Sequence, residues 1–230
     1  MSIENIVSGR ALDWYSTVAT RETINAIKSE EIIKKFNSRG KVQFILDIPE
    51  VTDRIEYLRH IIINLQESNS VSSAGSYEFE SGASKEQRRE SDIYLNIKIP
   101  PLYNQNFSFV SYLIHELKES FRHELEHTSQ STDDLMEVQQ IVPTKNIWNS
   151  LSTVEDYYTS SAEMRSIIAG IYKKAKSYKK PATTVVQDAL DNIYNTGVWY
   201  GYNSNKLSRL IKRVQTNWVN YLFDRYPRAK

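Results

Sequence analysis

Apolar residues recur along this chain with two periods, and each change of period marks an element. Over the first 37 residues Leu12, Trp14, Tyr15, Val18, Ile24, Ile27, Ile32, Ile33 and Phe36 fall at mostly helical spacing, and Asn37-Ser38-Arg39-Gly40 ends the segment. KVQFILDIP reads as a strand closed by Pro49. In EVTDRIEYLRHIIINLQES, residues Ile55, Leu58, Ile61, Ile62 and Leu65 share one helical face, so the spacing predicts a helix and hence a β-α pair. Residues 68–92 are rich in Ser, Gly and Glu. Tyr77-Glu78-Phe79 alternates within them like a short strand before the charged SKEQRRES loop. IYLNIKI then alternates strictly, with Ile93, Leu95, Ile97 and Ile99 on one face, until Pro100-Pro101 stops it. The two strands form an antiparallel hairpin on this reading. FSFVSYLIHELKESFRHELEHTSQ reads as one long helix, and three more helical patterns follow near 161–179, 183–196 and 204–223.

The predicted order is β-α-β-β-helix followed by helices. The expected class is α+β: a small antiparallel or mixed sheet, a long helix directly after its last strand, and a helical C-terminal part. A chain of 230 residues can bury a real core, and 40% hydrophobic and 25% charged residues with only 7 Gly and 6 Pro describe an ordinary globular protein. Neither a run of roughly 20 apolar residues nor a basic-then-apolar signal pattern is present, so the expected location is cytoplasmic where the chain is made.

Two features of composition narrow the chemistry. With no Cys, disulfides and thiolate metal sites are excluded, and a transition metal must be held by His, Asp or Glu. Charge is also uneven. Met164 to Lys230 holds 13 Lys and Arg against three Asp, a balance of +10, which leaves −9 for the first 163 residues. Solvated helix faces account for much of this, with Lys173, Lys174, Lys176, Lys179 and Lys180 near a helix C-terminus ahead of Pro181. The other use of such a third is docking to an acidic protein or nucleic-acid surface. Tyr172, Tyr178, Trp199, Tyr200, Trp218 and Tyr221 are interleaved with its charges.

Chemistry concentrates in His123-Glu124-Leu125-Glu126-His127. Two His at i and i+4 project from one helix face on successive turns, close enough to share a tetrahedral zinc. Glu124 beside them is placed to take a proton from water that the metal has acidified and to pass it to a leaving amine. Shuffling four His and 18 Glu through the chain gives this pattern only about 0.005 times per chain. At about 100° per residue, Val110, Leu113, Ile114, Leu117, Phe121 and Leu125 form an apolar stripe. His123 and His127 point roughly 110–150° from its centre, which predicts that the pair opens onto a polar cleft or solvent.

A catalytic zinc takes a third protein ligand. His115 lies eight residues before His123, about 12 Å along the axis, and cannot reach the same ion. No His follows His127, so the third ligand must be an acid. Among the downstream acids Glu163 is best placed, in the first turn of the helix YYTSSAEMRSIIAGIYKKAK with Ser160 or Ser161 as cap. An acid there also stabilises a helix N-terminus without any metal.

The HELEH run followed by a helix bearing a glutamate resembles the zincin metallopeptidases of the glutamate-ligand type, the gluzincins, over roughly residues 41–180. The resemblance implies that His123, His127 and Glu163 bind zinc, that Glu124 is the general base, and that the strand before the metal helix is an edge holding the substrate backbone. That edge would be Ile93, Leu95 and Ile97. It further implies an oxyanion-stabilising group, for which Tyr157 and Tyr158 are the candidates. On this basis residues 1–40 are an N-terminal helical extension, 41–180 the zincin-like core and 181–230 a C-terminal helical part packed on it. FRHELEHTSQ with a later AExR helix is similar to zincin-like proteins encoded by tailed bacteriophages. The expected function is zinc-dependent peptide hydrolysis on a protein or peptide substrate. The alternative is a virion or assembly component that keeps a zincin-like domain for binding, and a third reading is a protease acting on nucleic-acid-bound proteins.

Overall fold

The structure is a computed structural model that describes residues 9–55, 57–78, 91–103, 108–141 and 146–229. The chain divides into two compact units, Met1–Ser129 and Gln130–Lys230.

The first unit begins with helices α1 (Gly9–Ile27) and α2 (Glu30–Arg39). Ser29 caps α2 by accepting from the Ile32 amide, Glu30 and Glu31 sit in its first turn and Arg39 in its last, and Gly40 closes it at φ +65°, a left-handed conformation that suits glycine. Strand β1 (Lys41–Ile45), the one-turn helix α3 (Pro49–Thr52), β2 (His60–Glu67), β3 (Ser72–Glu78), β4 (Asp92–Ile99) and helix α4 (Val110–His127) follow. The sheet order is β1-β2-β4-β3. β2 and β4 run parallel, while β1 and β3 pair antiparallel to their neighbours.

Alternation decides the sheet's two faces. Ile61, Ile63, Leu65, Ile93, Leu95 and Ile97 point inward and are 0–1% exposed. Each such side chain contributes about 1.5–3 kcal/mol by leaving water. Outward in the same register lie Gln43, Asn64 and Asn96, whose amides bond across three strands at 2.7 and 3.1 Å. Leu12, Val18, Ile24, Ile27 and Phe36 belong to the same core, so α1 and α2 each give an apolar face to this unit's interior.

Two expectations change and one holds. Residues 50–68 are not one helix: after α3 the chain extends into β2, because the β-branched Ile61-Ile62-Ile63 run satisfies a period of two once β1 and β4 flank it. Ile61 is buried while Ile62 turns to the outer face, which one helical face for both would not allow. Ile93, Leu95 and Ile97 lie on no edge, since β4 is enclosed between β2 and β3 and their side chains fill the core. The expected pairing of the 77–79 strand with IYLNIKI holds for β3, which is antiparallel to β4, although Phe79 lies outside the described residues.

The second unit is helical: α5 (Thr132–Ile141), a 3-10 turn at Ile147–Asn149, α6 (Leu151–Thr159), α7 (Ser161–Tyr178), α8 (Ala182–Trp199) and α9 (Ser204–Arg225). The last three match the helical patterns read from the sequence. Val154, Ile168, Ile171, Leu190, Leu210, Val214, Trp218 and Leu222 form a core of this unit's own. Among the described residues no helix is long and apolar enough to cross a membrane.

Candidate metal centre

Helix α4 carries a different chemistry on each side. Leu113, Leu117, Phe121 and Leu125 recur at i, i+4, i+8 and i+12 and are 0% exposed, which seats the helix on the inner face of the sheet. A second line, Ser120, Glu124 and His127, runs along β3. Ser73 and Ser120 hydroxyls lie 2.8 Å apart, Gly75 faces Glu124, and Tyr77 lies parallel to His127 with ring centroids 6.4 Å apart. Ser73, Gly75 and Tyr77 alternate on the inner side of β3, opposite Ile97, Leu95 and Ile93. Small residues at the first two positions let the strand approach the helix.

Gly75 is the closest point of that approach. A β-carbon built on it would sit 2.6 Å from Cγ and Oε1 of Glu124, closer than nonbonded atoms come. Tyr77 donates from its hydroxyl to the Tyr57 carbonyl at 3.0 Å, which fixes the ring beside His127.

His123 and His127 turn their Nε2 atoms towards one another at 3.2 Å, and Glu124 Oε1 is 3.8 Å from His123 Nε2. One donor atom from each of the three residues lies within 4.8 Å of the others, the one cluster of metal-binding side chains found among the described residues. Two nitrogens each about 2.0–2.1 Å from a tetrahedral zinc stand about 3.3 Å apart, so the imidazole pair has the spacing such an ion needs. Burial, and then the charges of His127 and Arg122, hold the His123 imidazole well below its ordinary pKa. A neutral ring keeps a lone pair for a metal.

The pair is less open than its helical angle predicts. His127 is 5% exposed and Glu124 3%, whereas the His123 side chain retains 21%. The reason is β3, which covers the side of α4 that the apolar stripe leaves bare.

Arg122 and Glu126, each one residue before a histidine, make a second i, i+4 pair. The Arg122 guanidinium is buried, donating from Nη1 to Glu126 at 2.6 Å and from Nε to Asp13 of α1 at 3.1 Å. A cation and two carboxylates thus tie α1 to α4, with Arg122 and Glu126 buried where water does not readily replace a lost partner.

In the second unit, Glu163 stands in the first turn of α7 and is 6% exposed. Gln130 is also buried and spends its side-chain amide on α7, donating to the Ala162 carbonyl and the Ser166 hydroxyl at 2.8 Å each. Tyr158 packs edge-on against Tyr157 and Trp218, with the Trp218 indole donating to its carbonyl. Burial, then the nearby Glu163 charge, pushes its phenol up to about 12. Tyr158 is thus electrostatically coupled to Glu163.

Sequence reading missed Ser73, Gly75 and Tyr77. For Ser73 and Gly75 the signal is a strand whose inward positions are small where most strands carry bulk. Arg122 and Asp13 were legible only in part: Arg122 and Glu126 have helical pairing distance, but nothing local marks Asp13, 109 residues away. Compared with protein-family models, curated proteins and solved structures, the chain matches none.

Proposed function

We propose that the chain is a zinc-dependent peptidase in which His123, His127 and Glu163 hold the metal and Glu124 is the general base. The reading is carried by the two imidazole nitrogens 3.2 Å apart on α4 with the Glu124 carboxylate beside them. A zinc ion held by such donors supplies water acidic enough to ionise near neutral pH. Glu124 accepts that proton at its carboxylate and returns it to the amine as the carbon–nitrogen bond breaks. Packing against Gly75 leaves the carboxylate little room to swing, which keeps it aimed.

Glu163 suits the third position by donor type, a buried carboxylate in the first turn of α7. Tyr158 stays protonated across the working range, as an oxyanion donor must, and Tyr157 is the other candidate. Because β3 ends the strand order beside the site, an extended substrate backbone would add there, as a strand next to Ser73–Tyr77, and not at β4.

Metal content and cleavage test this together. Wild type binds zinc stoichiometrically and cleaves members of an unbiased peptide library; His123→Ala loses the metal, Glu163→Ala binds it at least tenfold more weakly, and Glu124→Gln keeps it but cleaves nothing. Undiminished cleavage by His123→Ala or Glu124→Gln would sink the proposal. A second reading, a virion or assembly component with a structural metal, is favoured by the burial of Glu124 and His127. Full zinc occupancy with no cleavage of any library member or partner decides for it.

A further inference from the structure

The turn between α8 and α9 exposes what most helix hairpins bury. Val198, Trp199 and Tyr200 are 48%, 79% and 44% exposed, three consecutive large side chains at the end of α8. They are not loosely held. Tyr200 stacks on Trp148 with centroids 5.5 Å apart and planes at 10°, and Trp199 stands edge-on to Tyr200 at 4.8 Å. Tyr202 donates its hydroxyl to the Trp148 carbonyl at 2.6 Å. Gly201 makes the turn at φ +82°, and Gly197 lets Trp148 and Leu207 close on the backbone, since a β-carbon there would meet both. The result is a braced aromatic platform.

Helix α9 leaves this platform with a one-signed surface. Leu207, Leu210 and Val214 face inward, while Lys206, Arg209, Lys212 and Arg213 are exposed on the other side. The helix has no acid before Asp224. Arg213 pairs with Glu155 of α6, but among the described residues Lys206, Arg209 and Lys212 enter no ion pair. The acids of α8, Asp188 and Asp191, lie eleven and eight residues before Trp199, at least about 12 Å along the axis.

We propose that Trp199, Tyr200, Lys206 and Arg209 form a docking surface for single-stranded nucleic acid. Every base offers a face for stacking, and every phosphate a charge for Lys or Arg, so an exposed ring beside unneutralised cations matches such a strand without regard to its sequence. A bilayer would instead favour an apolar wedge ringed by cations. Here the rings brace one another, Tyr200 stacked on Trp148 and Trp199 edge-on to Tyr200, the flanking Asn203, Ser204 and Asn205 are exposed and polar, and the cations run away along a helix.

The test is fluorescence anisotropy with a labelled oligothymidylate of about 15 nucleotides, titrated with the full chain between about 50 and 200 mM salt. Binding is expected to weaken with salt. Trp199→Ala should weaken it about tenfold with the salt slope unchanged, the scale of one lost stacking contact, and Trp199→Phe should restore most of it. Lys206→Ala with Arg209→Ala should lower the slope by about 1.4, two phosphate contacts at about 0.7 each. All these side chains are exposed, and circular dichroism checks that each variant folds. The proposal is overturned by absence of binding, by binding indifferent to Trp199→Ala, or by sedimentation with phosphatidylserine vesicles in a chain that ignores the oligonucleotide.

Discussion

Gly75→Ala is the sharpest test of how the candidate metal centre is built. In an ordinary strand this change is neutral or stabilising by about 0.4–1 kcal/mol, because alanine has fewer unfolded conformations to lose. At Gly75 the added carbon would stand 2.6 Å from Cγ and Oε1 of Glu124 and 2.8 Å from its Cδ. Ordinary contact begins near 3.4 Å, so strand and carboxylate must separate by roughly 0.8 Å, and the Cγ clash cannot be relieved by rotating the carboxylate alone. Overpacking of this kind costs about 1–3 kcal/mol, which reverses the usual sign. The larger effect falls on chemistry, since a displacement near 1 Å at a reacting group costs about a hundredfold in rate. Thermal melts, zinc content and peptide cleavage should therefore dissociate: a melting temperature a few degrees lower, metal retained by His123 and His127, and kcat down by about two orders of magnitude. Ala74→Ser, on the outer face of β3, serves as the stability control and should melt like wild type. A Gly75→Ala variant as stable and as active as wild type would refute both the close approach and the role given to Glu124.

Other consequences are equally direct. Arg122→Ala leaves the Glu126 and Asp13 carboxylates without their shared cation, and urea unfolding should show a loss of about 3–5 kcal/mol, much of it recovered in Arg122→Leu combined with Glu126→Leu. Tyr103 is 1% exposed, donates to the Ile27 carbonyl at 2.7 Å, and is pushed by burial up to about 12 from an ordinary 10.0. Its folded value is the raised one, so its contribution is complete below pH 10 and is lost as pH climbs to about 12. Alkaline denaturation followed by urea midpoints should be shallower for Tyr103→Phe than for wild type, and parallel curves would count against it. Tyr158→Phe removes only a hydroxyl. If Tyr158 stabilises the oxyanion, kcat falls at least tenfold with zinc content and KM nearly unchanged; an equal kcat rules the role out.

Much of the candidate site was readable because helical geometry is local. His123, Glu124 and His127 need only that residues 110–127 be a helix, which the apolar stripe from Val110 to Leu125 marks over the whole span. The α+β class and the helices near 161–178, 182–199 and 204–225 follow from periods of the same kind. Glu163 could be nominated by its place in a first turn for the same reason.

What packing decided is everything that depends on a distant neighbour. Residues 60–67 carry apolar side chains compatible with either period, and the flanking β1 and β4, which satisfy their backbone groups, made them a strand. Strict alternation identified β4 as a strand but is silent on which strands lie beside it, so its enclosure by β2 and β3 had to come from the sheet order. The need for Gly75 exists only because Glu124, 49 positions later, arrives against its backbone, and the partner of Arg122 on α1 lies 109 positions earlier. Sequence by itself determined which donors stand on one helix face, because that is fixed by 3.6 residues per turn. Only the tertiary structure decided which strand covers them and how closely, because close packing is a relation between surfaces that the chain brings together only when it folds.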